Sequence, residues 1–511
     1  MADEYDVIVV GAGNGGMISA CTFAQMGLKT LVLEKHNLPG GCATSFVRGR
    51  FEFEASLHNL PYIGKGPQSG DVDMLYHRFG VNRKFYPIPD ALHVIVDNDE
   101  MHYEFKAGIG RENFAEELER ACPGSREAYG RFCALCDDLT RALGEMARFR
   151  GRPDMEYMAK EHPNYLRLSA VTVDEMFEAI EAPELMRDLM GVFALYQCGD
   201  TSKIDAARYC MMTDSFISNG VSQTDMRSAG LSTALVTSAR RYGADIWYDS
   251  EVVKICTDNG AVSGVMLKDG RKIRAKRVLC NIIPHLAYGK LLDPSAVPPL
   301  ELKKTNARVI GARAFCVFLG MDASYQELGI KDYAVFINSS MKSNECLALG
   351  RSRETNCDMS LNCLNVMVPD ASPEGTCILY ITAMFTEDAF ADVTPENYQK
   401  IKEDYAEKLI LRAEKALGVD LRDHIEEIVI STPVTYARYL GTPQGTVFGY
   451  ASEDWDGMMS RNMGEGQEKT IPGLYFAGGH GTRFNGYISS YMSGFTTAMR
   501  IIGEMKGGVP G

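Results

Sequence analysis

Four glycines fall within six residues in Gly11-Ala-Gly13-Asn-Gly15-Gly16, directly after the β-branched run Val7-Ile-Val-Val10 and directly before a helix-like stretch, 17–26. Strand, glycine turn and helix in that order form the pattern that cradles a dinucleotide pyrophosphate. Gly11 allows the tight bend, Gly13 lets the backbone approach the phosphates, and Gly16 lets the helix pack closely on the strand. A second strand, 29–33, ends in Glu34, which stands 18 positions beyond Gly16 with Lys35 next to it. A carboxylate there accepts both hydroxyls of an adenosine ribose and repels a 2′-phosphate, which argues against NADP at this place. Gly40-Gly41-Cys42-Ala43-Thr44-Ser45 then adds a second glycine pair, which a simple nicotinamide dehydrogenase does not need. Two adjacent glycines let the backbone lie against the pyrophosphate and ribityl chain of an extended FAD, and 51–58 brings a new strand back toward the ring.

The elements that must hold these residues are those of a large globular enzyme. A chain of 511 residues corresponds to about three domain-sized units. With 45% hydrophobic and 23% charged residues it can bury a sizeable core, so neither wholesale disorder nor a coiled-coil rod fits. The net charge of -14 repels phosphate backbones and makes nucleic acid a poor partner. Fourteen cysteines without framework spacing read as reduced thiols in a cytoplasmic protein. Cys133 and Cys136, the one close pair, fall in a helix-like segment with no second pair to complete a metal site, so they read as packing and no metal is expected. The start of the chain carries no export signal, and no apolar run is long enough to span a bilayer, although lying on a membrane surface remains open.

The run LEKHNLPGGCATSFVRGRFEFEASLH resembles the N-terminal signature of the phytoene desaturase-like FAD oxidoreductases, most closely their retinol saturase-like branch. Cys42 stands where an arginine is frequent in the wider amine oxidase group, and Glu54 where aspartate is usual. The resemblance implies an α/β fold, with a Rossmann-type FAD-binding domain (GDI-like) built from 1–83, 219–292 and 439–511. An inserted α+β substrate domain is then built from 84–218 and 293–438. Within 219–292 the segments 251–256, 261–267 and 277–280 read as strands, with Asp258-Asn-Gly260 and Asp269-Gly270 as turns. The family's Val-x-x-Ile pattern, here Val252 and Ile255, implies that the Val252 backbone pairs with the adenine edge. Asn281-Ile-Ile-Pro284 keeps only the ends of the family's next signal. Toward the C-terminus, Gly478-Gly479-His480-Gly481 resembles the closing strand and flavin-covering loop, and the apolar spacing of Met492, Phe495, Met499 and Ile502 predicts an amphipathic helix starting near 487–490. Its positive end would face the flavin N1 and O2 edge, with Ser489 and Ser490 in place of the usual glycine-valine pair and the Ser490 amide on the pyrimidine. The rest of the chain reads as a hairpin at 92–105, helices at 173–197, and strands at 312–319, 333–337 and 377–383.

By the resemblance, His58, His480, Arg483 and Tyr487 lie near the isoalloxazine and are the candidate acid/base residues. A histidine with an unperturbed pKa near ~6.5 can deliver a proton to the carbon that does not receive hydride. The family acts largely on apolar unsaturated molecules, which implies carbon-carbon double-bond reduction or desaturation. A single dinucleotide fingerprint means that NAD(P)H, if it is the reductant, docks transiently. Two alternatives belong beside this reading: an isomerase without net redox change, and a non-catalytic lipid carrier of GDI type, against which the intact glycine cradle speaks.

Overall fold

The computed structural model describes residues 4–61, 71–148, 154–464, 471–479 and 485–507. Its organising element is a five-stranded parallel sheet in the order Asp245–Trp247, Thr30–Leu33, Val7–Val10, Val278–Cys280 and Leu474–Phe476. Both faces are covered, which is why Val7–Val10 and Thr30–Leu33 read as continuous apolar runs rather than alternating ones. Val7, Val9 and Val32 pack on helices, whereas Ile8, Val10, Leu31 and Leu33 pack on a four-stranded sheet made of Glu4–Tyr5, Lys272–Ala275, Ala261–Leu267 and Val252–Asp258. The Asn259-Gly260 turn of that sheet has φ of +50° and +79°, the left-handed pair a two-residue hairpin turn requires.

Because the five strands are parallel, their carboxyl ends share one edge, and Gly11, Glu34, Asn281 and Ala477 all leave the sheet there. Two helices begin at that edge, Asn14–Gln25 and Tyr487–Met505. They cross closely. A Cβ on Gly494 would lie 2.3 Å from the Gly15 carbonyl oxygen, and the Ser19 hydroxyl donates to the carbonyls of Gly15 at 2.8 Å and Gly494 at 2.9 Å.

A seven-stranded sheet runs in the order Ile425–Ser431, Arg313–Met321, Cys377–Phe385, Met359–Cys363, Ala334–Asn338, Asp90–Asp97 and His102–Gly108. One face buries Phe315, Val317 and Leu319 against the Tyr398–Leu417 helix; the other packs Phe318, Tyr380 and Val94 with a helical block that includes Arg126–Arg148. The strands Met359–Cys363 and Ile425–Ser431 and the long helix are additions to the sequence reading. Cys133 and Cys136 sit on the Arg126–Arg148 helix as free thiols. The strand expected over 51–58 is shorter: Phe51–Glu54 pairs with Ser45–Arg48 and stops because the amides of Ser56 and Leu57 turn back to donate to the Glu54 carboxylate, each at 2.9 Å. Among the described residues no helix is long and apolar enough to cross a membrane, and no cluster of ligands for a metal ion occurs.

Candidate active site

One continuous cavity of about 2110 Å³ starts at the carboxyl edge of the five-stranded sheet and reaches under the seven-stranded sheet. Ligand sites of drug size occupy roughly 300–1,000 Å³, so the space suits a dinucleotide together with a second large molecule. Gly11, Gly13, Gly15, Glu34, Lys35, Gly40, Gly41, Cys42, Val252, Asn281, Gly479, Ser489 and Ser490 line it, as do His58 and Tyr487. The sequence-expected residues therefore converge.

The cradle is made of backbone. The first intrahelical bond of Asn14–Gln25 runs from the Met17 amide to the Gly13 carbonyl at 2.9 Å, so the amides of Asn14, Gly15 and Gly16 precede it at the positive end of the helix. Gly16 is held against the turn itself: an added Cβ would lie 2.1 Å from the Gly11 oxygen. Asn281 reaches into the same space, its Oδ1 lying 2.8 Å from a Cβ on Gly15 and 2.3 Å from one on Gly478. Glu34 is 5% exposed, lines the cavity and accepts the amides of Ala12 at 2.8 Å and His36 at 2.9 Å, one on each oxygen, which leaves acceptor capacity to spare. His36 stacks on Tyr439 with ring centroids 3.9 Å apart and closes this end. Burial holds Lys35 below the usual lysine range, with Glu34 and Glu251 opposing that shift.

Three expectations change. Ser45 does not line the cavity; its hydroxyl accepts the Ala229 amide at 3.1 Å at the start of the Arg227–Arg241 helix. The Ser490 amide donates to the Gly486 carbonyl at 3.1 Å, the first turn of its own helix, so the contact assigned to it moves back toward Ser489. Among the described residues the amides of Tyr487, Ile488 and Ser489 precede that bond and have no partner. His58 has no charge to offer at neutral pH, because burial pushes its imidazole down to about 4. Its ring stands edge-on to Tyr380 at 5.0 Å, and its carbonyl accepts from Tyr333 and, at 3.3 Å, from Gln223. Cys42 opens into the cavity as an exposed free thiol. Gly478 and Gly16 stand behind the lining and shape it. His480 and Arg483 lie outside the described residues.

Past His58 the lining mixes aromatic and aliphatic side chains, Tyr196, Phe336, Leu139, Leu143, Met146 and Met212, with polar ones such as Arg208, Asp214 and Asn362. Behind the wall, Tyr487 meets a polar group that the sequence reading noted only as a departure from aspartate. Its hydroxyl lies 2.5 Å from Ser228 Oγ and 2.9 Å from Ser56 Oγ, and Ser228 Oγ donates to Glu54 at 2.5 Å. Glu54 is 1% exposed, and burial raises its pKa against four hydrogen bonds that lower it. The available signal was a second acidic residue, after Glu52, closing the hairpin; Ser228, 174 positions away, gives none.

The fold and this site together define an FAD-dependent oxidoreductase. A model of the NAD(P)-binding Rossmann-like domain matches residues 9–73. The chain is 24% identical over 522 residues to the chloroplastic prolycopene isomerase of Daucus carota, covering 98% of this chain and 80% of that one. It is 22% identical to the all-trans-retinol 13,14-reductase of Danio rerio, covering 88% and 78%, and 23% identical to a 4,4′-diapophytoene desaturase of Methylomonas, covering 85% and 83%. Cyclohexylamine oxidase from Brevibacterium oxydans shares the fold with a TM-score of 0.61 at 17% identity, covering 98% of this chain and 99% of that one. These relatives, similar to the chain over 85–98% of its length, are of the phytoene desaturase-like kind that its glycine-rich blocks resemble.

Proposed function

We propose that the protein reduces or desaturates a carbon-carbon double bond of an elongated apolar unsaturated substrate, with reduction as the working direction. The observation that carries this is the cavity, which leads without a break from the dinucleotide cradle to a tail lined by Leu139, Leu143, Met146 and Met212. Methionine and leucine walls hold a polyene by apolar contact and adapt to its shape. Bound FAD supplies hydride transfer. Within this reading Gly11, Gly13, Gly15, Gly40, Gly41 and the two helix starts hold its phosphates and ring edge, Glu34 its ribose, and Val252 its adenine. The tail excludes water from the reacting carbons. Strand membership in the five- and seven-stranded sheets supports the division into 1–83, 219–292 and 439–511 for the cofactor, and 84–218 and 293–438 for the substrate, while a small sheet joins the two parts by pairing Val221–Thr224 with Phe85–Pro87.

A second reading is isomerisation without net redox change, favoured by the prolycopene isomerase relatives. NAD(P)H serves as a transiently docked reductant, and the free thiols support a reducing compartment, the cytoplasm. Anaerobic titration of the flavoprotein with NADH and NADPH, followed by a panel of polyenes and enones, tests the proposal by product mass. A gain or loss of two hydrogens supports it; unchanged mass with altered geometry supports the isomerase; no product from any of them defeats both.

A further inference from the structure

Adding hydride to one carbon of a double bond leaves a proton to be delivered to the other, and desaturation requires the reverse. The question is which group of this cavity carries that proton. His58 is neutral at pH 7 because burial lowers its pKa to about 4 and, among the described residues, it has no acidic partner. Tyr487 faces the cavity, but a buried phenol acting alone is a poor donor, since burial also raises its pKa well above the usual range. A phenolate left behind there would be an uncompensated buried charge.

The groups behind Tyr487 remove that difficulty. Ser228 Oγ stands between Tyr487 Oη and Glu54, 2.5 Å from each, and Ser228 is fully buried. The Glu54 carboxylate accepts the amides of Ser56 and Leu57 at 2.9 Å and of Ser228 at 2.7 Å, besides the Ser228 hydroxyl. Four donors converge on this one carboxyl group, so it carries negative charge more readily than the phenol does, although burial still leaves its pKa above the usual glutamate range. No arginine or lysine among the described residues pairs with Glu54. Arg227, next to Ser228, is held by Glu52 at 2.9 Å. The other titratable groups that interact with Glu54 are Tyr333, just before the Ala334–Asn338 strand, Tyr380 in the Cys377–Phe385 strand and Tyr491 in the C-terminal helix.

We propose that Glu54, Ser228 and Tyr487 form a proton relay, with Tyr487 as the catalytic residue that touches the substrate carbon and Glu54 and Ser228 as positioning residues behind it. This rests on the double-bond chemistry proposed above. In reduction the Tyr487 O–H bond breaks as the carbon–hydrogen bond forms. The tyrosine oxygen takes the Ser228 hydroxyl proton, and Ser228 takes the proton of the Glu54 carboxylic acid, which ends with Ser228 donating to the carboxylate, the polarity the structure shows. The net result is one proton moved from Glu54 to carbon and one carboxylate left among its four donors; the hydride and its electron pair come from the reduced flavin. Desaturation runs the same chain backwards, ending with a protonated Glu54.

The test uses the FAD-loaded protein as wild type, S228A, E54D, E54Q and Y487F. S228A severs the chain yet leaves the carboxylate and its three backbone donors in place, so it remains informative if E54Q does not fold. S228A, E54Q and Y487F are expected to lower kcat by ~10² to 10⁴ with KM and flavin occupancy little changed. E54D, which keeps a carboxylate, is expected to stay within about tenfold of wild type. In the wild type kcat should fall as pH rises through the raised Glu54 pKa, and S228A should lose that limb. A readout independent of turnover is the infrared spectrum on flavin reduction. A carboxylic acid band that titrates above the usual glutamate range should be present in wild type, absent in E54Q and displaced in S228A. S228A with wild-type kcat and pH profile, or a reduction spectrum with no band lost in E54Q, would overturn the relay. If the wild type turns over none of the unsaturated compounds, the substrate reading fails while the infrared result still decides the relay.

Discussion

The two ends of the cavity are built from different materials. At the dinucleotide end the contacts are backbone amides and carbonyls set by Gly11, Gly13, Gly15 and Gly16, and every residue of the turn lies within one strand–helix connection. At the reacting end the contacts are side chains, and Glu54, Ser228 and Tyr487 come from three segments of the chain that meet only when the sheets pack. The first end binds by shape and helix charge, which tolerate no added atom. The second works by moving a proton, which tolerates changes of shape but not of chemistry.

The sharpest break of that contrast is at Gly16. Its missing Cβ keeps the helix against the Gly11 carbonyl, and a methyl there would sit 2.1 Å from that oxygen, a clash with backbone that cannot swing aside. Gly16→Val should abolish flavin occupancy after gel filtration and cost at least about 1–3 kcal/mol in stability by overpacking. Retained yellow colour would show that the turn is not the cradle.

Glu34→Ala should come next. It removes the ribose acceptor and also leaves the Ala12 and His36 amides without their partner. Flavin affinity should drop by about 10- to 100-fold, on the order of 1–3 kcal/mol, while kcat of the loaded fraction changes little. Lost turnover at full occupancy would place Glu34 at the wrong end of the cavity.

The smallest effect is expected at His58, and it separates this residue from the relay. Its pKa falls from ~6.5 in the unfolded chain to about 4 in the fold, by burial. Between those values the unfolded chain binds more protons than the folded one, so stability is full above pH ~6.5 and is lost as pH falls toward 4. Its ring is partly open to the cavity, so the loss should be screened to about 1–2 kcal/mol. His58→Gln should flatten that part of the melting temperature against pH and leave kcat within about tenfold of wild type. A kcat loss as deep as that of S228A would return the acid role to the imidazole.

How far each end could be read from sequence follows from the same difference. The glycine turn, Glu34, the Gly40-Gly41 pair and the Asn259-Gly260 hairpin turn are local patterns, because a positive φ or a close backbone approach has to be solved by the residue at that position. The C-terminal helix was legible from its apolar spacing, but its first hydrogen bond was not, and that bond decides whether Ser489 or Ser490 has a free amide. Ser45 looked like part of the cradle because it follows the glycine pair, yet its hydroxyl caps the start of a helix by accepting the Ala229 amide, 184 positions later. Glu54 was visible only as an odd acid in Phe51-Glu-Phe-Glu54. Its importance depends on Ser228 and Tyr487, and on burial that no spacing rule reports. The strands Met359–Cys363, inside the seven-stranded sheet, and Ile425–Ser431, at its edge, escaped notice because their residues alternate weakly and their burial comes from neighbouring elements.

The most direct test of double-bond chemistry at a flavin is a single turnover of the photoreduced protein with a conjugated polyene in D2O under nitrogen. The reduced flavin should regain its oxidised absorbance in step with loss of one double bond, and the product should carry two deuterium atoms on adjacent or conjugated carbons. A flavin that stays reduced with every unsaturated compound offered, and a polyene recovered unlabelled, would contradict the account.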